Sequence, residues 1–370
     1  MLNLGEDFTL GVEEEYLLVD PASRELVPAS RAVLARAQPE LGEQTVQHEL
    51  YLAQMEVGTP VCRTLDELRA NLTHLRRRVA AAAEASGCRI AAAGTHPFSR
   101  WEDQEVTPTR RYQEFLGGYQ QTAREQIMCG CHVHVGIADP EAAIQTMNRV
   151  QAWLAPLLAL AGNSPFWLGA DTGYASYRTQ LWRRWPTADS AGTFASRADY
   201  DELVASLVRV GMIEDATHIW WDVRPSAKYP TIEFRVSDVA TSVDEAVMVA
   251  GLARALARTC HAEDVRGDPA PSPRPELLRA ARWRAARHGL AGELVDVNAQ
   301  QLVPSFLLVE RFLAYLQPDL EYHKEWDEIS SLVGAVLSCG PGAHRQRVAF
   351  ARAGHLDDFV DQVVAETVAA

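Results

Sequence analysis

Lysine is nearly absent from this chain. Only Lys228 and Lys324 occur in 370 residues, and the rest of the 35 basic positions are arginine. Anion recognition must therefore rest on guanidinium forks or on metal ions rather than on a phosphate-loop lysine. The two commonest nucleotide loops are missing too: neither G-x-x-x-x-G-K-[ST] nor G-x-G-x-x-G appears. A formal net charge of −14 argues against nucleic acid as a partner, because a phosphate backbone needs a basic footprint. The start, Met1 to Asp7, is short, polar and acidic, unlike a signal peptide. The most apolar run, Trp153 to Ala161, carries Pro156 and is too short to span a bilayer. A soluble, cytoplasmic protein with no membrane partner is expected. The six cysteines are dispersed with no C-x-x-C, which predicts reduced thiols. Cys129 and Cys131 lie beside His132 and His134, but structural zinc pairs its ligands at wider spacing. Small buried cysteines in a strand are the better reading.

What is present is core-forming material, 47% apolar residues, and a set of carboxylates embedded in it. Phe8 to Val19 reads as a strand with Leu10, Val12, Tyr16 and Leu18 on one face, ended by Asp20-Pro21, with another strand starting near Leu26. Arg31 to Gln38 suits a short helix. Thr64 to Ser86 is a long helix by its leucine spacing, with a Thr64–Glu67 capping box. Cys88 to Ala93 and Gln126 to Ile137 are predicted strands, and Glu141 to Gly162 a helix kinked at Pro156. Residues 163–197 have no clear period and read as a long loop region. Ile219 to Val223 and Thr231 to Val236 form a predicted hairpin, followed by a helix over Asp244 to Thr259. After a proline-rich loop at Asp268 to Pro275, amphipathic helices are expected at Glu276–His288, Pro304–Leu316, Trp326–Leu337 and Leu356–Val368. Strands in non-βαβ order predict an α+β protein with an antiparallel or mixed sheet. One domain, 1–370, is expected, mainly helical from about 276.

Four short segments carry the candidate chemistry. In a strand, positions two apart share a face, so Glu13 and Glu15 of G-V-E-E-E-Y project together and Glu14 falls among the apolar residues of the other face. Glu14 has no evident role there beyond an edge position or a partner arginine. Glu49 and Glu56 are seven apart, so a helix or a bulged strand could bring them together, whereas a regular strand would not. His132 and His134 share a face, as do Glu233 and Arg235 of T-I-E-F-R-V. Two carboxylates about 6.5 Å apart repel by about 2.5 kcal/mol at an effective dielectric near 20, so such a cluster calls for divalent cations if it converges. Each segment alone also has an ordinary reading, as surface charge, buried histidine or internal ion pair.

As an ordered set, G-V-E-E-E-Y, Q-M-E-V-G-T-P, C-H-V-H-V-G-I, Y-R-T-Q-L-W and W-W-D-V-R-P-S with Y-P-T-I-E-F-R-V resemble the bacterial carboxylate–amine ligases of the glutamate–cysteine ligase type 2 group, relatives of glutamine synthetase. The resemblance covers essentially the whole chain. It implies a glutamine synthetase-like fold, a curved antiparallel sheet forming a funnel with helices packed outside. It also implies ATP and two or three Mg²⁺ or Mn²⁺ ions. By motif position, Glu13, Glu15, Glu49, Glu56, His132 and Glu233 become metal ligands. Glu233 and Arg235 become the catalytic pair, with Arg235 on the γ-phosphate. His132, His134, Arg178 and Arg224 join Arg235 as contacts for nucleotide or substrate. Arg183, Arg184 and the turn Thr95–His96 are further candidates for gripping carboxylates. The implied substrates are amino acids, L-glutamate through its γ-carboxylate and cysteine or another amine, and a homodimer is allowed. The competing functions are a two-metal hydrolase and a non-catalytic binding protein on the same fold.

Overall fold

The computed structural model describes residues 8–189 and 191–369. Its centre is a seven-stranded antiparallel sheet. Strand β1 (Leu10–Val19) is followed by β2 (Val46–His48), β3 (Gln54–Gly58), β4 (Arg89–Ala91), β5 (Gly130–Gly136), β6 (Val223–Pro225) and β7 (Thr231–Asp238). The spatial order is β6-β7-β5-β1-β3-β2, with β4 added along the end of β1. β1 lies inside the sheet, paired with β3, β4 and β5. Leu10, Val12 and Tyr16 are buried on one face while Gly11, Glu13 and Glu15 stand on the other. β5 and β7 repeat the pattern, with Cys131, Val133, Val135, Ile232 and Phe234 in the same core as Leu10 and Val12.

Helices cover that apolar face. The Val243–Arg266 helix is buried along most of its length beneath β5 and begins with a full Ser242–Glu245 capping box. Around it pack the helices Leu65–Glu84, Pro140–Val150, Ser305–Tyr322 and Trp326–Cys339. The opposite face of the sheet is left open as a cleft, so the expected α+β sheet with helices on its outer side is what forms. Among the described residues no helix is long and apolar enough to cross a membrane.

Glu14 finds its account here. It lies on the helix face of β1 and is fully buried, where Arg76 of the Leu65–Glu84 helix donates to it through Nε at 3.0 Å and Nη2 at 2.5 Å. The Tyr16 hydroxyl donates to the same carboxylate at 2.6 Å. Arg76 also donates to the carbonyls of Ala240, Thr241 and Thr367, so the pair ties β1 to the chain's C-terminal helix.

Some local expectations are corrected. The helical stretch over 141–162 does not kink at Pro156. It breaks earlier, at the 3-10 turn Gln151–Trp153, and Pro156 sits in the first turn of the next helix, Leu154–Ala161, where no N–H is needed. The 163–197 region is not all loop: it holds a Phe166–Trp167/Ala170–Asp171 hairpin and a Tyr177–Trp182 helix capped by Ser176. β5 begins at Gly130, four residues later than expected. The C-terminal part is helical except for a small hairpin, Glu293–Asp296 with Gln301–Pro304.

Candidate active site

The open face of the sheet carries a row of charged side chains set by strand register. Glu15 of β1 is opposite Glu56 of β3, and Glu13 is opposite His132 of β5. His134 is opposite Glu233 of β7, and Glu233 opposite Arg224 of β6. Glu49 arrives by a route that the sequence spacing does not suggest, neither a helix nor a bulged strand. β2 and β3 form a hairpin in which Gln47 faces Glu56, so Glu49, two residues past Gln47, folds back to the same side. The result lines a cleft of about 250 Å³.

Three sets of ligand atoms lie within 4.8 Å of one another: Glu13, His134 and Glu233; Glu13, Glu56 and His132; Glu15, Glu49 and Glu56. Glu13 belongs to two sets and Glu56 to two, so the three form one chain. Direct contacts support the geometry. His132 Nδ1 is 3.2 Å from Glu13 Oε2, His134 Nε2 is 3.4 Å from Glu13 Oε1, and His132 Nε2 is 3.8 Å from Glu15 Oε1. His132 Nε2 is buried without a hydrogen-bond partner among the described residues, whereas His134 Nε2 faces Glu13. Oxygen-rich sets with one imidazole, as in the first two, or none, as in the third, fit Mg²⁺ or Mn²⁺ better than zinc.

Electrostatics divide the row in two. Burial and then the Glu49 charge push Glu15 up to about 8, although Arg178 and the Gly130 N–H, which donates at 2.6 Å, oppose this. Burial and the charges of Glu13, Glu49 and Glu15 raise Glu56 well above the carboxylate range, and burial raises Glu49 as well. The other end behaves oppositely. Burial would raise Glu13 and Glu233, but hydrogen bonds from His132 and His134 hold Glu13 low, and the Arg235 and Arg224 charges hold Glu233 low. Burial and Arg235 depress His132 to about 4, whereas the Glu13 hydrogen bond and the Glu233 charge outweigh burial and raise His134. The Glu15–Glu49–Glu56 end is short of positive charge, and the Glu233 end is not.

The structure brings all the sequence-predicted ligands together, and His134, expected only as a nucleotide contact, joins them in the Glu13–Glu233 set. Arg235 pairs with Glu233 and lies over the Trp182 ring at 5.1 Å. Arg224 holds Glu233 through two bonds, 2.8 and 3.2 Å, and its Nη1 donates to the carbonyls of Thr217 and Ile219. Arg178 is buried with its guanidinium 5.5 Å from the Trp182 ring, and Gly130 is glycine for its sake, because a Cβ there would overlap the guanidinium. Four candidates lie away from the cleft. Arg183 pairs with Asp189 and Arg184 with Glu125. Thr95 donates to the Phe166 carbonyl, and His96 contacts the Arg24 carbonyl. The sequence motifs do not reveal an aromatic wall, Phe115, Trp182, Trp185 and Trp220, or the amides Gln54 and Gln126. The tryptophan richness of 163–197 is a signal for the wall; nothing marks the glutamines.

An antiparallel sheet covered by helices on one face thus presents on its other face a carboxylate–imidazole row with the chemistry to hold divalent cations. The chain belongs to glutamate–cysteine ligase family 2, whose sequence pattern it matches over residues 9–366. It is 46% identical to the Frankia alni protein named "Putative glutamate--cysteine ligase 2-2", with 97% of each chain covered. It is 42% identical to the Rhodopirellula baltica protein named likewise as a glutamate–cysteine ligase 2, again with 97% of each covered. Among solved structures, the Francisella tularensis glutamate–cysteine ligase in complex with AMP superposes with a TM-score of 0.73 at 12% identity, covering 99% of this chain and 90% of that one. The Pasteurella multocida bifunctional glutathione synthetase gives 0.72 at 16%, covering 98% of this chain and 52% of that one. At those identities the likeness is one of fold. The protein is an enzyme that forms C–N bonds at the expense of ATP.

Proposed function

We propose that the enzyme joins the γ-carboxylate of L-glutamate to an amine, with cysteine as the first acceptor to try, through an acyl phosphate. The observation that supports this most is the linked chain of three ligand sets ending at Arg235. A carboxylate does not react with an amine at neutral pH because its leaving group would be oxide. Transfer of the ATP γ-phosphoryl group to a carboxylate oxygen replaces that leaving group with phosphate. The amine nitrogen then attacks the acyl carbon, loses a proton, and phosphate departs.

Glu13, Glu15, Glu49, Glu56, His132, His134 and Glu233 would hold the divalent ions. Bound there, such ions neutralise phosphate charge and align the transferred group with its acceptor. Arg235 adds a guanidinium where charge develops on that group. Glu233 keeps Arg235 and Arg224 in place while remaining ionised. The whole chain, 1–370, is read as one catalytic unit.

The test is product analysis. The protein is incubated with Mg-ATP and amino acids, singly and in pairs. ADP, phosphate and a γ-glutamyl amide are expected, and only with a divalent metal, a donor and an acceptor. AMP and pyrophosphate would replace the acyl phosphate with an adenylate. Release of phosphate from ATP with donor alone and no amide would favour hydrolysis.

A further inference from the structure

Glu49 alone among the candidate metal ligands lies outside a strand. β2 ends at His48 and β3 begins at Gln54, so residues 49–53 make an excursion between them. The sheet ladder fixes the backbone under the other ligands, and something else must fix it under Glu49. Segment 105–107 does so, running antiparallel to 50–52. The Leu52 N–H donates to the Glu105 carbonyl at 2.8 Å, Tyr51 bridges to Val106, and the Thr107 N–H donates to the Leu50 carbonyl at 2.9 Å. The Thr107 side chain adds a bond that no ladder supplies: Oγ1 donates to the Glu49 carbonyl at 2.6 Å. The Tyr112 hydroxyl donates to the His48 carbonyl at 3.1 Å, so the carbonyls of 48, 49 and 50 are all gripped from the same side. Thr107 is prepared for this by sequence. It precedes Pro108, which keeps it out of the helical region and extended. It is buried and does not itself line the cleft.

The hydroxyl reaches the Glu49 carboxylate through a single peptide group. The peptide between Glu49 and Leu50 is planar, so its carbonyl and its N–H turn together. Thr107 Oγ1 holds the carbonyl, and the N–H donates to Glu49 Oε2 at 2.8 Å. The carboxylate is thereby tied to the edge of the plane opposite the one that Thr107 grips. If the plane rotates, the carboxylate moves with it, while Glu15 and Glu56 stay in register on β1 and β3. The ligand atoms of the three carboxylates lie within 4.8 Å of one another. A binding constellation of this kind must be held to about 0.5 Å to work.

We propose that Thr107 is a positioning residue for the Glu15–Glu49–Glu56 set, acting on Glu49 through the 49–50 peptide. The inference rests on the reading above of Glu49 as a metal ligand. Thr107 touches neither metal nor substrate. Its hydroxyl replaces, at the one ligand that lacks a strand, the rigidity that the ladder gives the others.

Mn²⁺ binding to the full chain, read from the electron paramagnetic resonance signal of free Mn²⁺, tests this. Glu49→Gln should weaken one class of Mn²⁺ sites about tenfold or more. Thr107→Val and Thr107→Ala remove the hydroxyl and keep the backbone N–H, and each should weaken the same sites to a comparable extent. Thr107→Ser restores the donor and should bind as the wild type does. Adding Thr107→Val to Glu49→Gln should cost nothing further, because the hydroxyl acts through a carboxylate that is already gone. Thermal melts report folding, and a residue that only braced the backbone would lower the melting temperature without moving the Mn²⁺ affinity. Wild-type affinity in folded Thr107→Val and Thr107→Ala, beside a weakened Glu49→Gln, overturns the positioning role while the metal reading stands. Additive losses in the double variant do the same, as does failure of both hydroxyl-free variants to fold. Wild-type affinity in Glu49→Gln removes Glu49 from the ligand set and takes this inference with it.

Discussion

Glu15 and Glu56 stand directly opposite each other on neighbouring antiparallel strands, two carboxylates in a pairing that ordinarily destabilises a sheet. Glu49 closes on the same pair from the β2–β3 hairpin. Burial and mutual repulsion raise the pKa of all three carboxyls, so the cluster holds protons more tightly than exposed carboxylates would, and the divalent cations proposed above would take up the charge that remains.

The first prediction concerns pH. Burial and mutual repulsion raise Glu15 to about 8 and Glu56 well above the ordinary range, so the folded state retains protons that the unfolded chain has already lost. A group of this kind favours folding at low pH and loses that contribution as pH rises toward its folded value. His132 and Glu13, shifted the other way, act below pH 6.5. The melting temperature of the metal-free protein should therefore fall between pH 6.5 and 8, and saturating Mg-ATP should flatten that slope while raising the melting temperature. A metal-free profile that rises over this interval would contradict carboxyl protonation as the source of tolerance.

Neutralising one member of the cluster should relieve the repulsion. Glu15→Gln keeps an oxygen for the Gly130 N–H. The metal-free variant should melt at or above the wild-type temperature, and its gain from Mg-ATP should shrink. Marked loss of stability without metal would mean that Glu15 is half of a structural ion pair.

At the other end of the row, Glu233→Gln and Arg235→Ala should each lower kcat by about a hundredfold or more, on the order of 3 kcal/mol, with the circular dichroism spectrum unchanged. Near-normal turnover in either folded variant would show that β7 does not face the reaction.

Arg76 offers a control outside the cleft. Arg76→Leu leaves Glu14 buried without its cation, with only the Tyr16 hydroxyl as a partner, and should cost about 3–5 kcal/mol in urea unfolding. The double variant with Glu14→Leu should recover much of that loss. Equal stability of the single and double variants would mean that Glu14 is not charged in the folded protein.

Gly130→Ala is a steric probe. The new Cβ meets the Arg178 guanidinium, so KM for the amino-acid donor should rise at least several-fold while KM for ATP stays close to wild type. An unchanged donor KM would separate Arg178 from substrate binding.

The period-two alternation of β1, β5 and β7 is legible in the residues alone, because a strand's faces are a local property. It puts Glu13 with Glu15, His132 with His134 and Glu233 with Arg235, and it sends Glu14 to the apolar face. The Leu65–Glu84 helix is legible for the same reason, from its cap and its leucine spacing. What local pattern does not supply is register. That Glu13 meets His132, 119 positions away, and Glu233 meets His134 follows from which strands pair and where. The β2–β3 hairpin that returns Glu49 to Glu56 is a turn that spacing alone does not reveal. Arg76 as the partner of Glu14 depends on how a helix lies against a sheet. Gln54 and Gln126 look like any polar residues in sequence; only the packing of β3 and the 126–130 segment buries them along the cleft. Sequence determined the faces, through bond geometry that repeats every two or 3.6 residues. Tertiary structure decided which faces meet, because that depends on the packing of the whole core.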